Sequence, residues 1–413
     1  MKEVKPSEVK GTVSIPASKS VVQRAVAAAM LARGTSIIHN PSTCNDCLAA
    51  LNMARQLGAT VVEEPNRWTI TGDFRPSSTE LSCGEAGLSI RMFTPIVSTL
   101  ATKQTLTGHG SLTTRPMGGL EEAINQLGAT CQTTNGLLPI TVQGPMMGGT
   151  ANIDGSLSSQ ILTGLLMAAP LAKQDVTLNV ANLKSRPYID MTIEVMQQFG
   201  VEVENNSYQH FRVKANHQYK PYELRAEGDW SGAAFFLVAG VIAGKLRVEN
   251  ISSASKQADK DIVKAIKLAG GRITEGNGYF EVEKSPLKAF SFDATNCPDL
   301  FPPLAVLAAA CKGTTLLKGV SRLTHKESNR AMAIQNEFAK AGISVVVEGD
   351  EMYIKGATPR TCTMESYNDH RMAMAAATLA LIASGPIGIT TPGCVAKSYP
   401  EFWAHLASVI EHR

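Results

Sequence analysis

The segment LGATVVEEPNRWTITG, residues 57–72, decides the fold because four later segments of the chain repeat its pattern. In each copy a helix-like run ends in glycine, and a strand, a polar turn and a second strand follow. The glycines are Gly58, Gly128, Gly200, Gly270 and Gly342, at intervals of 70, 72, 70 and 72 residues. Glycine at a helix end followed by a hairpin, at this constant spacing, predicts an internal structural repeat.

A second recurring element is a small-residue helix that opens with polar residues and runs into a short strand. Its six copies open at SKSVVQR, GEAGLSIR, GSLSSQ, GDWSGA, NCPDLF and SYNDHR. The sequence contains six such helices but only five hairpins, so one structural repeat has to be completed by segments that are distant in the chain. We expect the missing hairpin to be assembled from VKGTVSI, residues 9–15, and the other half of the chain.

The predicted unit is therefore helix, strand, helix and hairpin, repeated about six times. Because one copy is split, the chain is expected to leave one lobe and to return to it later. We predict an α/β fold with three repeats in each of two lobes. Residues 18–226 form the first lobe, and residues 1–17 with 227–413 form the second, with crossovers near Ala17 and Glu227. Runs such as AVAAAMLA, residues 25–32, predict buried helices.

Composition limits the class of protein and of partner. The 413 residues are 44% hydrophobic and carry a net charge of +3, with no block of consecutive Lys or Arg, which disfavours a nucleic-acid surface. The N-terminus has no apolar signal-peptide core and no apolar run is long enough for a membrane span, so we expect a cytoplasmic protein.

The close pair Cys44 and Cys47 lacks further ligands at zinc spacing, and no metal site is predicted. No apolar stripe requires a second subunit, so we expect a monomer.

Charged and hydroxyl side chains gather at the starts of the predicted helices and in the loops after the strands. The helix starts supply Lys19, Ser20, Arg24, Arg91, Ser158, Ser159, Gln160, Asp299 and the run Asn368, Asp369, His370 and Arg371, and the loops supply Arg115, Ser185, Arg186, Lys326, Glu327, Arg330 and Lys397. If every repeat points these ends the same way, they converge on one cleft. A cation at a helix N-terminus is unfavourable unless an anion joins it, so the pattern predicts a small polyanionic ligand.

Seven segments carry a family resemblance. IPASKSVVQRA, SLTTRPMGGL, SSQILTGLLMAAPL, SRPYIDMT, THKESNRA, YNDHRMAMA and CVAKSYPEFW occur in this order over essentially the whole chain. They resemble the signature segments of the 3-phosphoshikimate 1-carboxyvinyltransferases, or EPSP synthases. The resemblance implies a two-lobed inside-out α/β barrel with six βαβαββ repeats. It also implies transfer of the enolpyruvyl group of phosphoenolpyruvate to the 5-hydroxyl of shikimate 3-phosphate, with release of phosphate, on the route to chorismate and the aromatic amino acids.

The resemblance also implies roles for individual residues. Shikimate 3-phosphate would be bound by Lys19, Ser20, Arg24, Ser158, Ser159, Gln160, Ser185, Asp299 and Lys326. Phosphoenolpyruvate would be bound by Lys19, Gly87, Arg115, Arg330, Arg371 and Lys397. Asp299 would be the base for the hydroxyl, and Glu327 or Lys19 would serve the methylene proton. No metal and no organic cofactor is implied.

The chain departs from the family pattern in two segments, and two alternative functions stay open. Arg322 and Asn329 stand where the family usually has Asn and Asp, and no role is assigned to Arg322. GEAGLSIRM, residues 84–92, has Glu85, Leu88 and Met92 where the family has an amide, a hydroxyl and a proline, so the response to the family inhibitor glyphosate is not predicted. The related enolpyruvyl transferase for UDP-N-acetylglucosamine shares the fold, but it usually has Lys-Asn where this chain has Lys19 and Ser20. A non-catalytic anion-binding relative is the other alternative, and the retained Asp299 and Glu327 argue against it.

Overall fold

The computed structural model describes residues 1–156 and 158–411, and these form twelve α-helices and 23 strands. The helices are α1 Lys19–Leu31, α2 Asn45–Gln56, α3 Gly87–Val97, α4 Leu120–Gln126, α5 Ser159–Ala168, α6 Arg186–Gln198, α7 Trp230–Ala243, α8 Ile262–Leu268, α9 Phe301–Ala309, α10 Arg330–Lys340, α11 His370–Ala380 and α12 Phe402–Val409. Short 3₁₀ turns lie at Gly110–Thr114, Ala169–Leu171, Ala258–Asp261, Pro298–Leu300, Val320–Leu323 and Pro392–Lys397.

The strands are short, and most have three to six residues. They are β1 Lys2–Val4, β2 Val9–Ser14, β3 Gly34–His39, β4 Thr60–Glu64, β5 Arg67–Gly72, β6 Glu80–Ser82, β7 Gln104–Thr107, β8 Thr130–Thr134, β9 Leu137–Gln143, β10 Gly149–Asp154, β11 Val176–Ala181, β12 Glu204–Asn206, β13 His210–Val213, β14 Glu223–Arg225, β15 Gly244–Glu249, β16 Arg272–Gly276, β17 Tyr279–Glu283, β18 Ser291–Asp293, β19 Thr314–Lys318, β20 Ser344–Glu348, β21 Glu351–Lys355, β22 Cys362–Met364 and β23 Ile387–Ile389.

The chain divides into two compact units. The continuous unit is Ala17–Ala226, and the discontinuous unit is Met1–Pro16 with Glu227–Arg413. The predicted division into lobes of three repeats each, residues 18–226 and residues 1–17 with 227–413, stays a prediction.

Each unit contains three separate sheets, and the described strands close no barrel. In the continuous unit the strand orders are β14-β3-β5-β4, β6-β7-β9-β8 and β10-β11-β13-β12. In the discontinuous unit they are β16-β17-β15-β2, β18-β19-β21-β20 and β1-β23-β22. In the four-stranded sheets an edge strand lies parallel to its neighbour and an antiparallel hairpin completes the sheet, as for β6, β7, β9 and β8. The predicted α/β repeat architecture is confirmed.

The expected source of the missing hairpin was wrong. Strand β2, which contains most of VKGTVSI, lies parallel to β15 and forms the edge of a four-stranded sheet. The sixth sheet is completed by the single strand β1, which pairs antiparallel with β23. Correspondingly, β14 lies parallel to β3 in the continuous unit. Strand β2 thus precedes α1 in the chain but joins the sheet of β15, which follows α7. Strand β14 precedes α7 but joins the sheet of β3, which follows α1.

The helices at the centre of each unit are buried on all sides. Every residue of α3, α7, α9 and α11 is buried. Their small and apolar residues let helices approach closely; for example, a Cβ on Gly164 of α5 would lie 2.2 Å from the carbonyl oxygen of Arg91 in α3. The polar residues of α1 and α5 are confined to their N-terminal ends, which is where the candidate site residues lie.

Candidate active-site residues

Arg24 is a buried cation surrounded by neutral oxygens. Its side chain donates to the carbonyl of Ser20 at 2.8 Å, to Thr192 Oγ1 at 2.9 Å and to the carbonyl of Tyr188 at 3.3 Å. Within the described ranges, no carboxylate contacts the guanidinium, which is 2% exposed. Burial lowers the pKa of Arg24 to about 10. A buried charge without a counter-ion is costly, so an anion bound here would be strongly stabilised.

Hydroxyl groups and helix N-termini surround this cation. Ser158 caps α5, since its Oγ accepts a hydrogen bond from the amide of Gln160 at 3.2 Å. Ser185 precedes α6 in the left-handed conformation, with φ of 58°, and is buried. Because Arg24 donates to Thr163 of α5 and to Thr192 of α6, the starts of α1, α5 and α6 lie together. Helix N-termini with hydroxyl groups and a nearby guanidinium suit a phosphate.

Arg91 connects three of the predicted positions, although the sequence analysis gave it no ligand. Its Nη1 donates to the carbonyl of Gly87 at 3.0 Å and to Gln160 Oε1 at 3.2 Å, and its Nη2 donates to the carbonyl of Pro116 at 2.7 Å. Arg91 therefore fixes the start of α3, a side chain of α5 and the loop that carries Arg115. The sequence signal for this positioning role was that Arg91 lies near the start of a predicted helix, four residues after Gly87.

Gly87 lies directly against the guanidinium of Arg115. A Cβ built on Gly87 would be 2.3 Å from Arg115 Nη1 and 2.8 Å from Cζ. The Arg115 side chain is 7% exposed, and any side chain at position 87 would have to displace it. Glycine is therefore needed here so that the guanidinium can cover the start of α3.

Lys19 at the start of α1 pairs with a carboxylate that the sequence analysis missed. Its Nζ lies 2.9 Å from Asp46 Oδ2, and the two side chains are only 12% and 5% exposed. Asp46 lies in the first turn of α2, where an acidic residue is favoured by the helix dipole. This position could have identified Asp46 as a candidate site residue. The ion pair with Lys19 could not be predicted from the sequence, because the two residues lie 27 positions apart.

In the discontinuous unit, Asp299 lies among three cations. Its carboxylate oxygens are 2.7 Å from Arg330 Nη1, 3.1 Å from Arg371 Nη2 and 3.4 Å from Lys326 Nζ. Burial by itself would raise the pKa of Asp299, but Arg371, Lys326 and Arg330 together hold it well below its ordinary value. The structure thus brings together four of the residues that the sequence analysis selected.

Arg330 is completely buried and binds two further carboxylates. Its Nε donates to Asp369 Oδ2 at 2.8 Å and its Nη2 donates to Glu327 Oε2 at 2.6 Å. Asp369 is completely buried as well, and it also caps α11 by accepting from the amide of Arg371 at 3.0 Å. The sequence analysis noted Asp369 within NDHR without giving it a role, because its partner lies 39 residues away.

Arg371 and Lys397 complete the predicted set in this unit. Arg371 donates to Ser231 Oγ at 3.0 Å, and its Nη1 lies 2.7 Å from His370 Nε2. Lys397 is 5% exposed and ends a 3₁₀ turn that packs against α11. The contacts thus bring Asp299, Lys326, Glu327, Arg330 and Arg371 together, and Lys397 lies in a turn that packs against α11.

The charges around Asp299 balance in the ligand-free protein. Three carboxylates, Asp299, Glu327 and Asp369, face the three cations Lys326, Arg330 and Arg371. An anionic ligand that pairs with these cations would leave Asp299 less compensated and would raise its pKa. Ligand binding would thereby prepare Asp299 to accept a proton. This is the behaviour that general acid–base chemistry requires.

Two kinds of feature are missing from the part of the chain that the structure describes. Residues 1–156 and 158–411 contain no helix that is both long and apolar enough to cross a membrane. The same residues contain no group of three or more His, Cys, Asp and Glu side chains that could hold a metal ion.

Comparison with known proteins gives one consistent family. A family model described as EPSP synthase (3-phosphoshikimate 1-carboxyvinyltransferase) matches residues 4–406. The 3-phosphoshikimate 1-carboxyvinyltransferase of Methanocorpusculum labreanum is 36% identical over 97% of this chain and 96% of the relative. That of Thermococcus kodakarensis is 37% identical over 98% of both.

Two solved structures share the fold. EPSP synthase from Acinetobacter baumannii has a TM-score of 0.85 at 24% identity and covers 99% of this chain and 98% of its own. The enolpyruvyl transferase NikO from Streptomyces tendae has a TM-score of 0.80 at 17% identity, covering 100% of this chain and 98% of its own. At these identities the two structures support the fold alone.

Proposed function

Because the chain belongs to the EPSP synthase family, it transfers the enolpyruvyl group of phosphoenolpyruvate to shikimate 3-phosphate, and we propose that it does so with the residues gathered at its helix starts. The products are 5-enolpyruvylshikimate 3-phosphate and phosphate, and the reaction serves aromatic amino acid biosynthesis. The sequence relatives carry the phosphoshikimate name, which decides against UDP-N-acetylglucosamine as the acceptor.

We propose that shikimate 3-phosphate is bound by the hydroxyl groups, cations and carboxylate that gather at the helix starts and in the loops. The proposed ligands are Lys19, Ser20, Arg24, Ser158, Ser159, Gln160, Ser185, Asp299 and Lys326. The observation that carries this assignment is the buried charge of Arg24, which meets only neutral oxygens among the described residues. A phosphate group of charge about −1.5 to −2 would supply the missing counter-charge.

We propose that phosphoenolpyruvate is bound mainly by guanidinium and ammonium groups. The proposed ligands are Lys19, Gly87, Arg115, Arg330, Arg371 and Lys397. The close approach of Arg115 to Gly87 and the burial of Arg330 and Arg371 support this assignment. Buried guanidinium groups suit a ligand that carries both a carboxylate and a phosphate. The carboxylate and the phosphate can each accept two parallel hydrogen bonds from one guanidinium.

The chemistry consists of an addition and an elimination. The 5-hydroxyl oxygen attacks C2 of phosphoenolpyruvate while its proton is taken by a base, and C3 receives a proton and becomes a methyl group. The resulting tetrahedral intermediate then expels phosphate, and loss of a methyl proton restores the vinyl group. We propose Asp299 as the base for the hydroxyl and Glu327 as the group that serves C3, with Lys19 as the alternative for C3.

Matched Arg-to-Lys substitutions test the division of the ligands. Arg24→Lys is expected to weaken the binding of shikimate 3-phosphate alone by about ten- to a hundredfold, because a lysine cannot reproduce the several hydrogen bonds of the buried guanidinium. Arg115→Lys is expected to leave that binding intact and to raise the KM for phosphoenolpyruvate by about tenfold. Calorimetry with shikimate 3-phosphate and a phosphate-release assay measure the two effects. Equal losses in both variants would contradict the division, and wild-type protein without phosphate release would support the non-catalytic alternative.

The pH dependence of shikimate 3-phosphate binding tests Lys326. Burial lowers the pKa of Lys326 to about 8, so the ligand-free side chain loses its charge as the pH rises through that value. The charged form attracts the phosphate, and affinity should therefore fall above pH 8 by up to about tenfold per pH unit. Lys326→Arg keeps its charge over the whole range and should give a flat profile between pH 7 and 9.5. A wild-type profile as flat as that of the variant would exclude Lys326 as a ligand.

We further propose that the protein acts as a cytoplasmic monomer. The composition and the absence of an apolar stripe in the sequence support this proposal. Sedimentation at micromolar concentration, with and without shikimate 3-phosphate, would detect a second subunit.

A further inference from the structure

A completely buried carboxylate lies in α10, away from the groups assigned to the reaction. Glu337 accepts hydrogen bonds from Lys340 Nζ at 2.7 and 2.8 Å, from the hydroxyl of Tyr367 at 2.7 Å and from the amide of Glu365 at 2.8 Å. Its exposed fraction is 0%. A buried charge is maintained only where its hydrogen bonds are satisfied, and two of the three donors here belong to one segment, residues 365–367.

That segment has a strained backbone immediately before α11. Tyr367 and Asn368 both adopt the left-handed conformation, with φ of 53° and 52°. Consecutive residues other than glycine rarely adopt it, and the surrounding structure has to hold them there. Tyr367 is 36% exposed, but partial desolvation and the bond to Glu337 raise the pKa of its hydroxyl to about 12, so this group stays a hydrogen-bond donor. The amide of Ser366 is held by Thr390 Oγ1 at 3.2 Å.

The strained pair leads directly to Asp369, which orients two arginines. The Asp369 carboxylate binds the side chain of Arg330 at 2.8 Å and caps α11 at the amide of Arg371, 3.0 Å away. Ser328 donates to the same carboxylate at 3.0 Å. A displacement of Asp369 would therefore shift the guanidinium of Arg330 and the first turn of α11 together.

Helix α10 holds this segment at two points. Arg330 and Glu337 are seven residues apart, which places them two turns apart on the same face of the helix. Arg330 contacts the segment after the strained pair, and Glu337 contacts it before and within the pair. The left-handed turn is thus fixed on both sides by one helix.

We propose that Glu337 and Tyr367 are positioning residues that set the geometry of Arg330 and Arg371 for phosphoenolpyruvate. This inference rests on the proposed function in one respect, the assignment of these two arginines to phosphoenolpyruvate. Neither Glu337 nor Tyr367 touches a group to which the reaction is assigned. Their effect passes through the turn at 367–368 and through Asp369.

Tyr367→Phe tests the proposal with little change of volume. Loss of one hydrogen bond to a charged group is expected to raise the KM for phosphoenolpyruvate by about tenfold, with kcat changed less than about twofold and the Kd for shikimate 3-phosphate unchanged. Tyr353→Phe is the matched control, because Tyr353 also donates to a glutamate, Glu351, but in a hairpin of the same unit. The control should show wild-type kinetics.

Amide hydrogen exchange gives a readout that does not depend on the substrate assignment. Residues 365–371 should exchange faster in Tyr367→Phe than in the wild type or in Tyr353→Phe. Glu337→Gln should enlarge both effects, and if it does not fold, Tyr367→Phe decides alone. An unchanged KM for phosphoenolpyruvate in Tyr367→Phe, or an equal rise in the control, overturns the positioning role.

Arg330→Lys separates this failure from a failure of the proposed function. If Arg330→Lys raises the KM for phosphoenolpyruvate while Tyr367→Phe does not, the ligand assignment stands and only the positioning role is wrong. If Arg330→Lys leaves that KM unchanged, the assignment of Arg330 is wrong and the positioning proposal is rejected with it, whatever the exchange data show.

Discussion

Asp299→Asn is expected to lower kcat by about 10²–10⁴-fold without raising the KM for phosphoenolpyruvate. The variant loses the base proposed for the 5-hydroxyl but keeps the size of the side chain. It also removes a carboxylate that lies 2.7 Å from Arg330 and 3.1 Å from Arg371 in the ligand-free protein. Because that carboxylate competes with the ligand for both cations, the KM for phosphoenolpyruvate should stay constant or fall.

The direction of the KM change distinguishes the two roles that Asp299 can have. If Asp299 only holds Arg330 and Arg371 in place, its loss should raise the KM for phosphoenolpyruvate and leave kcat nearly intact. Asp293→Asn is a suitable control, since Asp293 is an exposed aspartate at the end of β18 in the same unit. Steady-state phosphate release with each substrate varied in turn gives both constants. Near-wild-type kcat in Asp299→Asn would show that another group takes the hydroxyl proton.

The low pKa of Asp299 in the ligand-free protein is compatible with a role as base only after substrates bind. A carboxylate stabilised by three neighbouring cations has a weak affinity for protons. When the carboxylate and phosphate of phosphoenolpyruvate pair with Arg330 and Arg371, this stabilisation is shared and the pKa of Asp299 rises. The proposed order is therefore binding of the anion first and proton transfer second.

The repeat could be predicted from the sequence because it rests on local signals. Gly58, Gly128, Gly200, Gly270 and Gly342 all have positive φ, from 78° to 105°, and an antiparallel hairpin follows each of them. Only glycine adopts this conformation at low cost, so the position of the helix end is visible in the residue itself. Alternating polar and apolar residues then mark the two strands of the hairpin.

The exchange of β2 and β14 could not be predicted, since parallel pairing depends on distant contacts. Both strands are short, expose most of their residues, and precede a largely buried helix. Neither contains a residue that specifies which of two equivalent sheet edges it joins. The pairing of β2 with β15 spans more than two hundred residues and follows from where the chain crosses between units.

For the site, as for the fold, only the features that depend on neighbouring residues in the sequence could be predicted. Residue types at helix starts indicated an anion site, because helix dipoles and capping are properties of a few consecutive residues. The internal ion pairs were not predicted, since Lys19 and Asp46 lie 27 residues apart in the chain and Arg330 and Asp369 lie 39 residues apart. In the proposed function, these carboxylates would neutralise the cations before the substrates bind.

Glu327→Gln is the second substitution with a large expected effect, again about 10²–10⁴-fold in kcat, or roughly 3–5 kcal/mol of barrier. The Glu327 carboxylate is 2.6 Å from Arg330 Nη2 and its side chain is 10% exposed, so it lies next to a proposed ligand of phosphoenolpyruvate and close to bulk water. That position suits a group that exchanges protons between C3 and solvent. The amide of glutamine keeps the shape and cannot carry the proton.

Solvent deuterium separates the roles of Glu327 and Asp299. In deuterated water, C3 receives a deuteron when the tetrahedral intermediate forms. When the intermediate reverts, this deuterium appears in the vinyl group of phosphoenolpyruvate. NMR gives the ratio of deuterium exchanged into phosphoenolpyruvate to product formed. Loss of the group that serves C3 should lower the exchange per product, so Glu327→Gln is expected to show a smaller ratio than Asp299→Asn. The Asp299 variant is the matched control, since it is slowed by a similar factor at the hydroxyl instead. An unchanged ratio in Glu327→Gln would transfer the role at C3 to Lys19, the alternative proposed for that proton transfer.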